Sequence, residues 1–175
     1  MIAAIGVAVV AVVVVIVLAA VVNSRPLTSV NDPLALSAVE APGATTPACA
    51  ALTAALPGQL GGLARRQILQ GDDPSLTGVA AWGEPAVVLR CGVPTPAELT
   101  CSAAVQEVDG VAWLPLSGGG DTSYFVVDRS VRVALTVPDG VTSTGPWQDA
   151  SKLVAATLPE RDICQNGQLL PADGE

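Results

Sequence analysis

The chain has 175 residues, of which 50% are hydrophobic and 14% are charged, and its net charge is −8. This length is close to that of one domain. Its 8 Lys and Arg residues are outnumbered by 16 Asp and Glu, and it has no His. Because nucleic-acid binding needs clustered cations to neutralise phosphates, the composition argues against a nucleic-acid partner.

The amino-terminal segment is strongly apolar, and residues 1–22 contain no charged or polar side chain. As a helix, residues 2–22 would span about 31 Å, close to the hydrocarbon thickness of a bilayer. The run is longer than the apolar region of a secretory signal peptide, and no basic residue precedes it. We therefore predict a transmembrane anchor over residues 1–22. A cleaved signal peptide and a buried core helix are the alternatives.

The cysteines indicate the compartment. Cys49, Cys91, Cys101 and Cys164 all follow the apolar segment, and none belongs to a CxxC pair. Two disulfides, which form outside the cytoplasm, are the simplest interpretation. We expect a single-pass cell-membrane protein whose carboxyl-terminal domain lies outside the cytoplasm. Four free thiols in a cytoplasmic domain are the alternative, and Arg25 weakly favours that orientation by the positive-inside tendency.

The next part of the chain is predicted to be a linker, a helix and a loop. Residues 23–46 mix Pro, Ser, Asn and Thr without a helical or strand period, which indicates a linker. Thr46 and Pro47 are typical of a helix start, and Pro57 ends that helix. Residues 58–78 are expected to be mostly loop.

Short apolar runs typical of antiparallel strands follow. They cover residues 79–82, 86–91, 103–109, 111–116, 123–128 and 130–137. Asp109 and Gly110 fit a tight turn, which predicts a hairpin, and Pro115 places the far end of its strand at an edge or bulge. Alternation in 130–137 predicts a sheet that is covered on one side. An apolar stripe predicts a last helix over residues 146–158.

The order of helix, strands and helix predicts an α+β fold. We expect an amino-terminal transmembrane helix, followed by a two-layer domain in which an antiparallel sheet carries two helices and is stapled by disulfides. The domain is predicted to cover residues 47–170, and residues 171–175 are predicted to be a tail.

A resemblance to a known family rests on four segments. They are CAALTAALP (49–57), AAWGEPAVVLRCG (80–92), VDGVAWLP (108–115) and RSVRVALTVP (129–138). Behind one membrane segment, they resemble an actinobacterial family of small envelope proteins, domain of unknown function three-five-one-five. The resemblance covers about residues 46–160. It implies an extracytoplasmic domain and carries over no catalytic residue, because the family has no assigned activity.

The resemblance also bears on the disulfides. Cys49 and Cys91 belong to the two most typical motifs of the family, which implies the pairs Cys49–Cys91 and Cys101–Cys164. The pairs Cys91–Cys101 and Cys49–Cys164 stay open as the alternative. Either pairing would join the helices to the sheet, and each bridge would contribute about 2–4 kcal/mol to stability.

The sequence offers little catalytic chemistry. Without His, the Ser-His-Asp, Cys-His and His-metal arrangements are excluded. Residues 118–121 (GGGD) lack the following Lys-Ser or Lys-Thr of a phosphate loop, so we expect a strand connection and no nucleotide. We predict no catalytic residue, no metal site and no cofactor.

The three tryptophans, Trp82, Trp113 and Trp147, allow two interpretations. Aromatic faces stack on sugars and would suit a glycan platform. The chain has only one Tyr and one Phe besides, however, so the core needs the volume of these rings. We predict that they are core residues.

Arg90 and Arg132 are the candidate contact residues. Each follows a core-facing neighbour on a predicted strand, so close strands would bring both guanidinium groups to one face of the sheet. Two such groups would bind an anion or a carboxylate. Cross-strand ion pairs with Glu107 or Asp128 explain the same residues without a ligand.

These observations predict a membrane-anchored, non-enzymatic accessory or interaction protein of the cell envelope. Its expected partners are the membrane, through the amino-terminal helix, and another envelope or membrane protein. The alternative is a module that binds a cell-wall glycan or a lipid in a pocket lined by a Trp and an Arg. An enzyme that uses carboxylates or a bound metal is a third hypothesis.

Overall fold

The computed structural model describes residues 32–69, 71 and 73–175. The predicted anchor over residues 1–22 and the first part of the predicted linker lie outside the described residues. The chain from Pro33 to Glu175 forms one compact unit. This unit is the folded domain.

Two α helices and ten strands make up the regular structure of the described chain. In chain order they are α1 (Pro47–Ala54), β1 (Gln59–Leu60), β2 (Leu63–Ala64), β3 (Val79–Trp82), β4 (Val87–Cys91), β5 (Gln106–Val108), β6 (Val111–Gly118), β7 (Asp121–Val126), β8 (Val133–Pro138), α2 (Thr144–Thr157), β9 (Cys164–Gln165) and β10 (Gln168–Leu169). A short 3₁₀ turn covers Pro74–Leu76.

The main sheet has six strands in the order β3-β4-β8-β7-β6-β5. Every neighbouring pair is antiparallel. Asp109 and Gly110, both with positive φ, form the turn between β5 and β6, so the predicted hairpin is confirmed. The pairing of β4 with β8 joins strands that lie more than 40 residues apart in the chain.

Pro115 explains where the edge of the sheet begins. β5 pairs with β6 only as far as Trp113, although we predicted a longer strand over residues 103–109. Proline has no N–H to donate to a neighbouring strand, so pairing stops before it. On its other side Pro115 pairs with Tyr124 of β7. The predicted edge position is therefore confirmed.

Both helices lie on one face of the sheet and share its main core with the strands. Thr46 caps α1, because its Oγ1 accepts a hydrogen bond from the N–H of Cys49 at 3.3 Å, and Pro47 occupies the first turn. α2 buries Ala150 and Val154. This arrangement gives the two layers that the sequence predicted.

Two tryptophans anchor the core. Trp82 and Trp113 have 0% exposure, in agreement with their predicted core role. The Nε1 of Trp113 donates to the Oγ of Ser151 on α2 at 2.9 Å, and the Nε1 of Trp82 donates to the carbonyl of Pro57 at 3.1 Å. The third, Trp147, is half-buried and stacks against Tyr124 with ring centroids 4.4 Å apart.

Two disulfides connect distant parts of the domain. Cys49 is bonded to Cys91, which joins α1 to the end of β4, and Cys101 is bonded to Cys164 at the start of β9. This is the pairing that the family resemblance implied. All four cysteines are used.

The predicted fold class needs one correction. Among the described residues, no helix is long and apolar enough to cross a membrane. A membrane-spanning helix needs about 20 residues, whereas α1 and α2 have 8 and 14. The described fold is an α+β domain with a six-stranded antiparallel sheet, two helices and two disulfides, without the transmembrane helix that we expected as its first element.

The folded unit is wider than the predicted range 47–170. Leu34, in the predicted linker, donates its N–H to the carbonyl of Gln67 at 2.7 Å, and Gly43 donates to Gly92 at 3.0 Å. In the predicted tail, Asp173 donates its N–H to a backbone carbonyl at 2.6 Å. These irregular segments pair with distant loops, and such pairing leaves no periodic signal in the sequence.

The second face of the sheet is also partly covered, although we expected cover on one side. Leu99, Leu114 and Val127 are buried there, with Phe125 and Ile163 packed against them. The covering segments are residues 92–105 and the unpredicted hairpin of β9 and β10. Neither residues 92–102 nor the β9–β10 hairpin has a run of alternating apolar residues, so no strand was predicted there.

Ser151→Ala tests the anchoring of α2. The substitution leaves the buried Nε1 of Trp113 without its acceptor, so we expect the free energy of unfolding to fall by about 1–3 kcal/mol. Ser117→Ala, at an exposed hydroxyl of β6, should change it by less than about 0.5 kcal/mol. Urea denaturation measures both. Equal effects would show that the Trp113–Ser151 hydrogen bond contributes nothing.

Candidate functional site

A cavity of about 360 Å³ lies on the second face of the sheet. Its floor comes from β4, β7 and β8, and residues 93–96 form its roof, with Val39 at the side. The lining residues are Val39, Arg90, Val93, Pro94, Thr95, Pro96, Ser123, Phe125, Ala134 and Thr136. Most of these side chains are apolar, and Arg90 is the one charged residue among them.

Strand register places the floor residues on one face. Arg90 is paired with Ala134, which is paired in turn with Phe125, so these three form a row across β4, β8 and β7. Ser123 and Thr136 form the next pair, and their hydroxyl oxygens are 2.8 Å apart, within hydrogen-bonding distance. Since side chains two residues apart share a face of a strand, both rows face the cavity.

Arg90 is half-buried and has no carboxylate partner among the described residues. Its Nη2 donates to the backbone carbonyl of Ser37 at 3.0 Å. Its Nη1 is buried and has no hydrogen-bond partner among the described residues. Burial lowers the pKa of Arg90, because a charged group loses solvation in the cavity wall. A single guanidinium without an ion-pair partner among the described residues therefore lines an apolar space.

Arg132, the second candidate, does not line the cavity. It is 2% exposed and lies just before β8. Its guanidinium donates to the Oγ1 of Thr95 (3.0 Å) and to the carbonyls of Val127 (2.9 Å), Arg129 (3.2 Å) and Leu170 (3.0 Å). Arg132 therefore fixes loops, and the structure does not bring the two arginines together as one anion site.

The roof of the cavity is held by two charged side chains. Arg132 donates to the hydroxyl of Thr95, and the carboxylate of Glu175 accepts from the N–H groups of Thr95 and Ala172. Burial on its own raises the pKa of Glu175, but these hydrogen bonds and the charge of Arg132 outweigh it and lower the pKa. Glu175 is thus ionised at neutral pH, and its carboxylate accepts the hydrogen bonds that position the roof.

Residues 5–163 match the model of the family described as Protein of unknown function (DUF3515). The chain belongs to this family. No curated protein and no solved structure matches it. The match agrees with the resemblance drawn from the four sequence segments, while the actinobacterial source stays a prediction.

The other buried charges of this DUF3515 domain are structural. Asp128 and Arg129 form an ion pair at 2.8 Å, and Asp128 also accepts the N–H of Ala112 at 2.8 Å. Burial raises the pKa of Asp128, against the opposing effect of these contacts. Arg66 pairs with Glu84. Neither Arg90 nor Arg132 forms the cross-strand ion pair with Glu107 or Asp128 that we considered.

Sequence reasoning found only part of the site. It named Arg90, but it expected a Trp in the pocket, where the DUF3515 domain has Phe125. It missed the roof over residues 93–96, because only tertiary folding brings this proline-containing loop over the strands. Residues 118–121 form the tight turn between β6 and β7. The part of the chain that the structure describes contains no group of three or more His, Cys, Asp or Glu arranged to hold a metal.

Arg132→Gln tests the support of the roof. We expect the free energy of unfolding to fall by more than about 3 kcal/mol, because several hydrogen bonds to a charged group, each worth about 1.5–3 kcal/mol, are lost. Arg161→Gln, which removes a solvent-facing ion pair with Asp173, should cost less than about 1 kcal/mol. Chemical denaturation gives both values. A loss of similar size in the two variants would contradict this role of Arg132.

Proposed function

We propose that this DUF3515 domain is a non-enzymatic accessory protein of the cell envelope, which works outside the cytoplasm and binds a small apolar ligand in the cavity beside Arg90. The observation that carries the proposal is the cavity itself. Its volume of about 360 Å³ falls within the range of roughly 300–1,000 Å³ that is typical of small-molecule sites. Its lining also has the usual composition, apolar with a single charged group.

The disulfides support a location outside the cytoplasm. Thiols in the cytoplasm are kept reduced, so a small domain that uses all its cysteines in two bridges suits an oxidising compartment. Both bridges close long stretches of chain, with separations of 42 and 63 residues. Such bridges stabilise a small domain considerably.

The residues of the site support binding without catalysis. Arg90 keeps its proton at neutral pH and offers no general base. Three residues with hydroxyl groups line the cavity: the hydroxyls of Ser123 and Thr136 hydrogen-bond to each other, and that of Thr95 accepts from Arg132. None of the residues that line the cavity is a general base that could activate one of them as a nucleophile. The chain also has no His.

The described surface gives less support to a large protein interface. Among the described residues, only Val39, Leu69 and Val105 are large, apolar and exposed. Protein-binding surfaces usually present a larger apolar patch. A bound ligand therefore explains the geometry better than the protein partner that the sequence favoured, and the apolar lining favours a lipid-like ligand over a glycan.

Thiol labelling in intact cells tests the location. We expect all four cysteines to resist alkylation after denaturation and to react only once a reductant is added, because both disulfides are formed. A cytoplasmic protein with four free thiols serves as the reference for complete labelling. Rapid labelling of this protein without reductant would place the domain in a reducing compartment and contradict the proposal.

Ligand capture tests the binding function. Protein isolated from its native envelope fraction is extracted with organic solvent, and the extract is analysed by mass spectrometry. We expect one small amphiphile near one per chain, and a loss of several-fold in Thr136→Leu, which fills the cavity. Thr122→Leu is the matched control, since Thr122 lies on β7 next to Ser123 and so on the opposite face.

Thermal melts of both variants establish that they are folded. An extract without a bound small molecule, or one that is unchanged by Thr136→Leu, would contradict the proposed function.

A further inference from the structure

We propose that the cavity binds the carboxylate of an alkyl carboxylic acid, with the guanidinium of Arg90 as its counter-ion and the alkyl chain inside the apolar space. This inference rests on the proposed function and names the chemical class of the ligand. It follows from the partners of Arg90, from the lining of the cavity and from the number of charges available.

The arginines of the described chain differ in their partners. Three of them form ion pairs, namely Arg66, Arg129 and Arg161. Arg65 is exposed to solvent, donates to the carbonyl of Leu56 and lies over the ring of Trp82. Arg132 lies near the carboxylate of Glu175. Arg90, which is half-buried, contacts only the neutral carbonyl of Ser37, and its Nη1 is buried without a partner in the described structure.

An unpaired cation in a protein wall is costly, because burial removes water that would otherwise solvate the charge. An anion that enters the cavity would supply the counter-charge that the guanidinium of Arg90 lacks among the described residues. The chain as a whole carries a charge of −8, which repels anions in general. Anion binding at this site therefore depends on the local charge of Arg90.

The residues that line the cavity determine which chemical group the bound anion can carry. Val93, Pro94 and Pro96 form most of the roof, and Phe125 and Ala134 form the floor. One of the two O–H donors of Ser123 and Thr136 is used in the hydrogen bond between them, so few donors are left for the many hydroxyls of a sugar. An alkyl chain fits this surface, because its burial needs no hydrogen bonds.

The charge of the site selects a carboxylate. One guanidinium lines the cavity, and its single positive charge balances the single negative charge of a carboxylate. A phosphate monoester carries more charge at neutral pH and would need further cations. None of the other lining residues is cationic.

Isothermal titration calorimetry tests this assignment with the full, oxidised chain in a non-ionic sugar detergent. The probes are decanoate, decanol and decyltrimethylammonium, which share an alkyl chain and differ in head-group charge. Affinities are compared at the free concentration of each probe, because the three probes partition differently into the detergent micelles. We expect decanoate to bind at least tenfold more tightly than decanol and decyltrimethylammonium to bind most weakly. Acetate should not bind measurably, because it has no chain to bury.

Charge variants identify the residue responsible. We expect Arg90→Gln to remove the preference for decanoate over decanol and Arg90→Lys to retain part of it. Lys152→Gln, an equal change in net charge at an exposed position of α2, should leave the preference unchanged. Thermal melts establish whether each variant is folded, and the comparison of the three probes on the unaltered chain needs no variant at all.

The outcomes separate this inference from the proposed function. Equal affinity for decanoate and decanol, no binding of decanoate, or an unchanged preference in Arg90→Gln would overturn the carboxylate assignment. If a neutral amphiphile is nevertheless recovered from the native protein and is lost in Thr136→Leu, the binding function stands. If no amphiphile is recovered, the function fails as well.

Discussion

The buried guanidinium of Arg132 organises the second face of the sheet. It joins the roof at Thr95 to the turn that follows β7, through Val127, and to the carboxyl-terminal segment, through Leu170. These segments lack regular structure, so their backbones depend on such hydrogen bonds for a fixed position. Arginine suits this role because it offers five donors in a rigid plane and keeps its proton when buried. Together with Glu175, Arg132 holds the roof of the cavity above the strands.

The two faces of the sheet are built by different means. On one face, helices pack on a conventional apolar core, and the Trp113–Ser151 hydrogen bond fixes α2 to the strands. On the other, irregular segments cover the sheet only in part, and the Cys101–Cys164 bridge ties two of them together. A rigid floor beneath a loop roof is a common way to form a ligand site, since strands fix the side chains while loops leave room.

The two candidate arginines illustrate how environment decides the role of a residue. Arg90 and Arg132 were equivalent in the sequence, each following an apolar residue that faces the core. Arg132 donates to three backbone carbonyls and one hydroxyl and so fixes loops. Arg90 donates to one carbonyl and lines an apolar cavity. A charge whose partners are all supplied by the protein stabilises the fold. A charge that lacks a counter-ion is available to a ligand.

Most of the local structure could be predicted from the sequence. The predicted features include the capped start of α1, the tight turn at Asp109 and Gly110, and the alternating strands. These features depend on residues a few positions apart, so their pattern is visible along the chain. The pairing of β4 with β8, the inward turn of Arg132 and the roof over residues 93–96 were decided by tertiary structure. They join segments tens of residues apart that carry no periodic signal, and the cavity beside Arg90 arises only where those segments meet.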